Sequence, residues 1–150
     1  MEKLSFDFKG IKKILIPTDG SEHSIHAAEY GISIAKLIGA EITVIFVVDD
    51  VVLDQLAKVT AREAAERELK EDGQGFVNYI LSLANKAGVK GSSLVAEGRP
   101  FERIVHVAKE SNIDLIVMGT YGRRGVDRIL IGSVAERVIG YASCPVLVIK

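Results

Sequence analysis

Residues 14–48 read ILIPTDGSEHSIHAAEYGISIAKLIGAEITVIFVV, and the fold class follows from them. Ile14-Leu15-Ile16 is a short, fully apolar run, closed by Pro17 and the turn-forming pair Asp19-Gly20. Ser21 is placed as a helix N-cap. After it Ile25, Ala28, Ile32, Ala35 and Ile38 recur at spacings of three and four, and Gly39 stands where a C-cap belongs. Ile42 to Val48 is a second β-branched run, followed by Asp49-Asp50. A strand that is apolar throughout, an amphipathic helix and another such strand make a parallel unit covered on both faces.

The same rhythm continues outward. Asp54 to Gly73 is alanine-rich and highly charged with a weak apolar stripe, and fits either a solvated helix or a mobile excursion. From Phe76 a helical face is clear (Phe76, Ile80, Leu83, Ala84, Ala87), and Gly88 ends it. Ser93 to Glu97 is a weaker strand. Pro100 opens a helix whose stripe is Phe101, Ile104, Val105 and Ala108. Leu115-Ile116-Val117-Met118 is a buried strand. A loop rich in glycine and arginine leads to a helix bearing Val134, Val138 and Tyr141, and Val146 to Ile149 is the last strand. The expectation is an α/β three-layer open sandwich: a Rossmann-like five-stranded parallel sheet of order 3-2-1-4-5, one domain over residues 1–150, with 1–10 as an N-terminal extension of no assigned role.

The totals bound the function. The formal charge of -1 gives no case for a nucleic-acid groove or an anionic membrane surface. No run approaches the ~18 apolar residues that span a bilayer. The single cysteine, Cys144, forms no internal disulfide, so a reduced, soluble, cytoplasmic protein is expected.

In an open parallel sheet, ligands bind beyond the carboxyl ends of the strands where the order reverses. That point lies between the first and fourth strands, whose ends are Pro17-Thr18-Asp19-Gly20 and Met118-Gly119-Thr120-Tyr121-Gly122. Glycines stand at 119, 122, 125 and 132, and Ser133 begins a helix. A helix N-terminus offers unpaired N–H donors and partial positive charge, which suits phosphate. Glycine lets amides approach the phosphate oxygens and permits φ > 0. Arg123, Arg124 and Arg128 add cationic charge over the loop. There is neither a G-x-x-x-x-G-K-[ST] loop nor a G-x-G-x-x-G after the first strand.

These residues resemble a known family. Met118-Gly119-Thr120-Tyr121-Gly122-Arg123, continuing to Ile131-Gly132-Ser133-Val134, is similar to the G-x2-G-x9-G-[S/T] signature of the ATP-binding branch of the universal stress protein family. Ile14 to Ser21 resembles that family's first strand and turn, and Cys144-Pro145-Val146-Leu147-Val148-Ile149 its terminal strand. The resemblance, running from Ile11 to Lys150, implies ATP (or AMP/ADP) as ligand, with Mg²⁺ or Mn²⁺ carried by the phosphates in some members. It implies that Pro17, Thr18, Val47 and Met118 line the adenine and ribose pocket, and that Asp19 lies near the ribose or the metal–phosphate region. Gly119, Gly122, Gly132, Ser133 and Val134 would wrap the phosphates with backbone amides. It further implies a homodimer pairing through the C-terminal strand. One departure is Ala135, where some members carry a hydroxyl two residues after the serine.

Two roles fit Asp19: a ligand contact, or a turn residue competing with Ser21 to cap the first helix. His23 and His26, three apart, read as exposed helical residues rather than metal ligands, and His106 as solvent-facing. Cys144 reads as a small packed residue rather than a nucleophile. The expected function is a nucleotide-binding regulatory or stress-response protein with little or no hydrolysis. The alternative is a metal-assisted ATP hydrolase or nucleotidyl transferase using Asp19.

Overall fold

The apolar runs become β1 (Lys13–Thr18), β2 (Glu41–Asp49), β3 (Gly91–Gly98), β4 (Leu115–Gly119) and β5 (Val146–Ile149). The helices are α1 (Glu22–Ile38), α2 (Asp50–Leu56), α3 (Arg62–Lys86), α4 (Pro100–Glu110) and α5 (Ser133–Tyr141). The computed structural model describes residues 10–120 and 131–150. All five strands pair in parallel, in the order β3-β2-β1-β4-β5.

Alternation along each strand sends side chains to opposite faces, and two cores result. Ile14, Ile16, Val44, Phe46 and Val117 pack with Ala28 and Ile32 of α1 and Leu69 and Val77 of α3. Leu15, Ile45, Ile116 and Met118 pack with Ile104 and Val107 of α4 and Ala135 and Val138 of α5. A right-handed crossover returns each helix to the same face until the strand order reverses, so α1 to α3 lie on one side and α4 and α5 on the other.

Local chemistry sets the helix ends. The Ser21 side chain accepts the Ser24 N–H at 3.2 Å, and Gly39 ends α1 at φ 72°, ψ 30°. The buried stripe of α1 is Ser24, Ala27, Ala28, Gly31, Ile32 and Ala35, whereas Ile38 is exposed. Small residues on this face let the helix approach the sheet closely. A Cβ at Gly31 would stand 2.7 Å from Ile16 Cδ1. Likewise α4 buries Val107 beside Ile104 and Ala108, and Val105 is only half-buried.

Three sequence expectations are corrected. The first strand does not stop at Pro17: β1 runs to Thr18, with Pro17 opposite Ile45. The helix expected from Phe76 begins at Arg62, and most of the charged 54–73 segment is its first half. Ala65, Leu69 and Gly73 supply the buried stripe there, too sparse and small to dominate the pattern. The outer face carries ion pairs, Arg62 to Asp54 at 3.0 Å and Lys70 to Glu66 at 2.8 Å. The Lys70 hydrogen bond holds Glu66 below the usual carboxylate range, while partial burial and neighbouring Glu66 push Glu97 above it. The third correction is a short additional helix, α2, capped by Asp49, whose carboxylate accepts the Val51 N–H at 3.0 Å.

Two glycines of α3 give opposite expectations. A Cβ at Gly73 would lie 2.4 Å from a ring carbon of Phe46, whereas Gly75 faces open space. Gly75→Ala should raise stability by about 0.5–1 kcal/mol through helix propensity. Gly73→Ala should lower it by about 1–2 kcal/mol, overpacking outweighing that gain. Urea titration of both variants checks the difference in sign.

Candidate functional site

At the reversal of strand order β1 and β4 are neighbours, in register at Ile14↔Leu115 and Leu15↔Ile116. Pro17 has no amide proton and cannot extend that ladder. Beyond it the two carboxyl ends carry the loops singled out in the sequence.

The β1 side is a turn with internal bonding. Thr18 is buried, and its hydroxyl lies 2.8 Å from Ser24 Oγ and accepts the Gly20 N–H at 3.2 Å. Gly20 sits at φ 82°, a left-handed conformation that a side chain would strain. The Asp19 carboxylate accepts the Ser21 N–H at 2.9 Å, an Asx turn. Asp19 therefore holds its own turn, and Ser21, not Asp19, caps α1.

The β4 side ends in buried Gly119 and Thr120. Thr120 N–H donates to the Ile149 carbonyl at 3.1 Å, and the Thr120 carbonyl accepts the Gly132 N–H. That second bond fixes the start of α5 at the carboxyl end of β4. Gly132 is the N-cap of α5 and provides no side-chain cap. The first in-helix bond runs from Glu136 N–H to the Gly132 carbonyl at 3.0 Å. The amides of Ser133, Val134 and Ala135 thus have no acceptor inside the helix. Ser133 is exposed at this mouth, and Ala135 is packed in the core.

Gly132 adopts φ -70°, ψ 160°, so the expectation of a positive φ does not apply there.

Val47, Met118 and Val134 all belong to the core on the α4–α5 face, beside Ala96 and Phe101. Pro17, Thr18, Asp19, Met118, Gly119, Gly132, Ser133 and Val134 are gathered around the ends of β1 and β4, with Val47 one strand over on β2. Gly122, Gly125, Arg123, Arg124 and Arg128 lie outside the described residues.

One residue was assigned no role in the sequence. Thr120 is 3% exposed, and among the described residues its hydroxyl has no hydrogen-bond partner. A buried polar atom without a partner is costly and marks a place where a ligand atom can bond. Its position inside the G-x2-G spacing was the available signal. A helix N-terminus, with three amides that have no acceptor inside the helix, stands beside Thr120 and is chemistry that suits an anion.

The remaining candidates are the histidines and Cys144. His23, His26 and His106 are exposed, and His26 lies 3.7 Å from Glu29 and edge-on to the Tyr30 ring. Among the described residues no group of three or more His, Cys, Asp or Glu side chains converges as a metal site. Cys144 is half-buried against the α4–α5 core, and burial, reinforced by Asp114, pushes its thiol up. No helix among the described residues is long and apolar enough to cross a membrane.

Known proteins share this architecture. A model of the universal stress protein family matches residues 10–150. The universal stress protein MJ0531 of Methanocaldococcus jannaschii is 48% identical over 139 residues, covering 93% of this chain and 82% of the relative. The solved structure of MJ0577, a universal stress protein of the same organism, matches at a TM-score of 0.83 and 31% identity, over 93% of this chain and 96% of the other. Two more distant structures share the fold. One is a universal stress protein in complex with cAMP (TM-score 0.65, 23% identity, 93% and 97% covered). The second is the Archaeoglobus fulgidus protein in complex with dAMP (TM-score 0.63, 21% identity, 94% and 98% covered). With the match to the family model spanning all the described residues, this chain belongs to the universal stress protein family.

Proposed function

We propose that the chain binds an adenine nucleotide, ATP or its AMP and ADP relatives, at the carboxyl edge of the sheet and acts as a cytoplasmic regulatory stress protein. On this reading residues 1–150 form one nucleotide-binding domain of the family's ATP-binding branch, with 1–10 as an extension. The observation that carries the reading is the bond from Gly132 N–H to the Thr120 carbonyl, which holds the free amides of α5 against the crevice. The fold relatives in complex with cAMP and dAMP support an adenine nucleotide as the ligand class.

Phosphates would take the amides of Ser133 and Val134 and approach Gly119, Gly122 and Gly132 without a Cβ in the way. The Thr120 hydroxyl gains its missing partner from a phosphate or ribose oxygen. Adenine and ribose would rest on Pro17, Thr18, Val47 and Met118, beside Asp19. Mg²⁺ or Mn²⁺ would ride on the phosphates, with the Asp19 carboxylate as the acidic group at the end of β1. A carboxylate oriented by its own turn is poorly placed to activate a water, which supports little or no intrinsic hydrolysis.

Homodimerisation through β5 belongs to the same proposal. β5 is an edge strand, and Leu147, Ile139 and Tyr141 on it and on neighbouring α5 are 38%, 45% and 69% exposed. An identical strand would satisfy the open edge.

Gly132→Val should abolish ATP binding measured by calorimetry while leaving the far-ultraviolet spectrum unchanged; unaltered affinity would place the phosphates elsewhere. Thr120→Val should weaken binding about 2- to 10-fold, the effect of one hydrogen bond. Sedimentation should give twice the 16.2 kDa chain mass, and Leu147→Lys should shift it to the monomer. A concentration-independent monomer mass for the unmodified chain would refute the dimer.

A further inference from the structure

The Asp19 turn is held from two sides. Its own hydrogen bonds, Gly20 N–H to Thr18 Oγ1 at 3.2 Å and Ser21 N–H to Asp19 Oδ1 at 2.9 Å, act from within. From outside, the Phe76 ring of α3 lies against Gly20. A Cβ built at Gly20 would fall 2.3, 2.5 and 2.6 Å from three atoms of that ring. No side chain fits between them, so the ring packs directly on the turn's main chain.

The ring is itself fixed. Phe76 stacks on Phe46 of β2, with centroids 6.1 Å apart and planes 22° from parallel. Phe46 in turn fits against α3 because Gly73, one turn before Phe76, has no Cβ to meet its ring. The contacts form one ladder: β2 holds Phe46, Phe46 seats α3 at Gly73 and stacks on Phe76, and Phe76 covers Gly20. Each rung sets an aromatic ring against another ring or a bare main chain, so the ladder has few ways to relax.

From this geometry we infer that Phe76 is a positioning residue for the nucleotide site, holding the Asp19–Gly20 turn of β1 in its binding conformation. Phe76 makes no ligand contact. It acts through Gly20, and the consequence for affinity rests on the nucleotide-binding reading above. The pre-formed turn spares the ligand the cost of ordering it. α3 thereby enters the site from the opposite face of the sheet to α4 and α5, and any displacement of α3 would reach Asp19 through Phe76.

The test uses the full chain with Phe76→Ala, Phe76→Leu and a control, Val77→Ala, which truncates the adjacent buried residue of the same helix. Two readouts are taken. In ligand-free protein, hydrogen exchange at the Gly20 and Ser21 amides should speed up about tenfold in Phe76→Ala, be largely rescued in Phe76→Leu, and stay near wild type in Val77→Ala. By calorimetry with ATP, Phe76→Ala should bind about tenfold more weakly, with Phe76→Leu in between. Unchanged Gly20 and Ser21 exchange in Phe76→Ala, or equal loosening in Val77→Ala, overturns the positioning role. Unmodified protein that binds no adenine nucleotide overturns the functional reading instead, and the exchange arm still decides the positioning role.

Discussion

One main-chain hydrogen bond, from Gly132 N–H to the Thr120 carbonyl, fixes where the last helix begins. Thr120 follows directly on β4 and its own N–H is tied to Ile149 of β5, so the bond joins the sheet's carboxyl edge to the first residue before α5. Whatever path residues 121–130 take, the two ends of that segment meet. The N-terminus of α5, with three amides that have no acceptor inside the helix, is thereby set beside the switch point of the sheet. Without this closure the same sequence would have a glycine-containing loop and a helix, but no convergent anion cradle.

The glycines fall into distinct physical classes, and the class tells what each position does. Gly39 and Gly88 adopt φ of 72° and 77° at helix ends, the left-handed caps that only glycine enters without strain. Gly31 and Gly73 are helical glycines required by close approach, one to Ile16 and one to Phe46. Gly20 meets both demands, a positive φ and the Phe76 ring. Gly132 lacks the first of these demands: its φ is ordinary and it caps the helix with no side chain. At Gly132 backbone conformation does not demand glycine, and its place directly before the amides that open α5 is what sets it apart.

Most of the fold was legible because its signals are local. Apolar runs, caps at Ser21, Gly39 and Pro100, and alternation of strand with helix fixed five strands, and the connectivity rules then restricted their order. What was not legible depends on tertiary contact. The first half of α3 was ambiguous because its buried residues are few and two of them, Ala65 and Gly73, are small beside Leu69, so periodicity fades there. In the site, the β1 and β4 loops could be read from their composition and from the switch-point rule. For Thr120 the one signal was its place inside the G-x2-G spacing, since its buried hydroxyl depends on tertiary packing. Phe76 looked like ordinary core, and its contact with Gly20 crosses between elements that no spacing relates.

Pro17 shows how the crevice itself is built. A proline inside a central strand is ordinarily a defect, because it removes one ladder hydrogen bond. Here β1 keeps its register with β2 through Pro17 and Thr18, opposite Ile45 and Phe46, while its register with β4 is confined to Ile14 and Leu15. The missing donor therefore coincides with the place where β1 must part from β4. A residue able to continue both ladders would favour closing the edge at which the topology requires an opening. Pro17 instead lets one side of β1 remain sheet while the other becomes the wall of a cleft. The strand order sets where the sheet can open, and Pro17 keeps that opening from being sealed by the sheet's own hydrogen bonding.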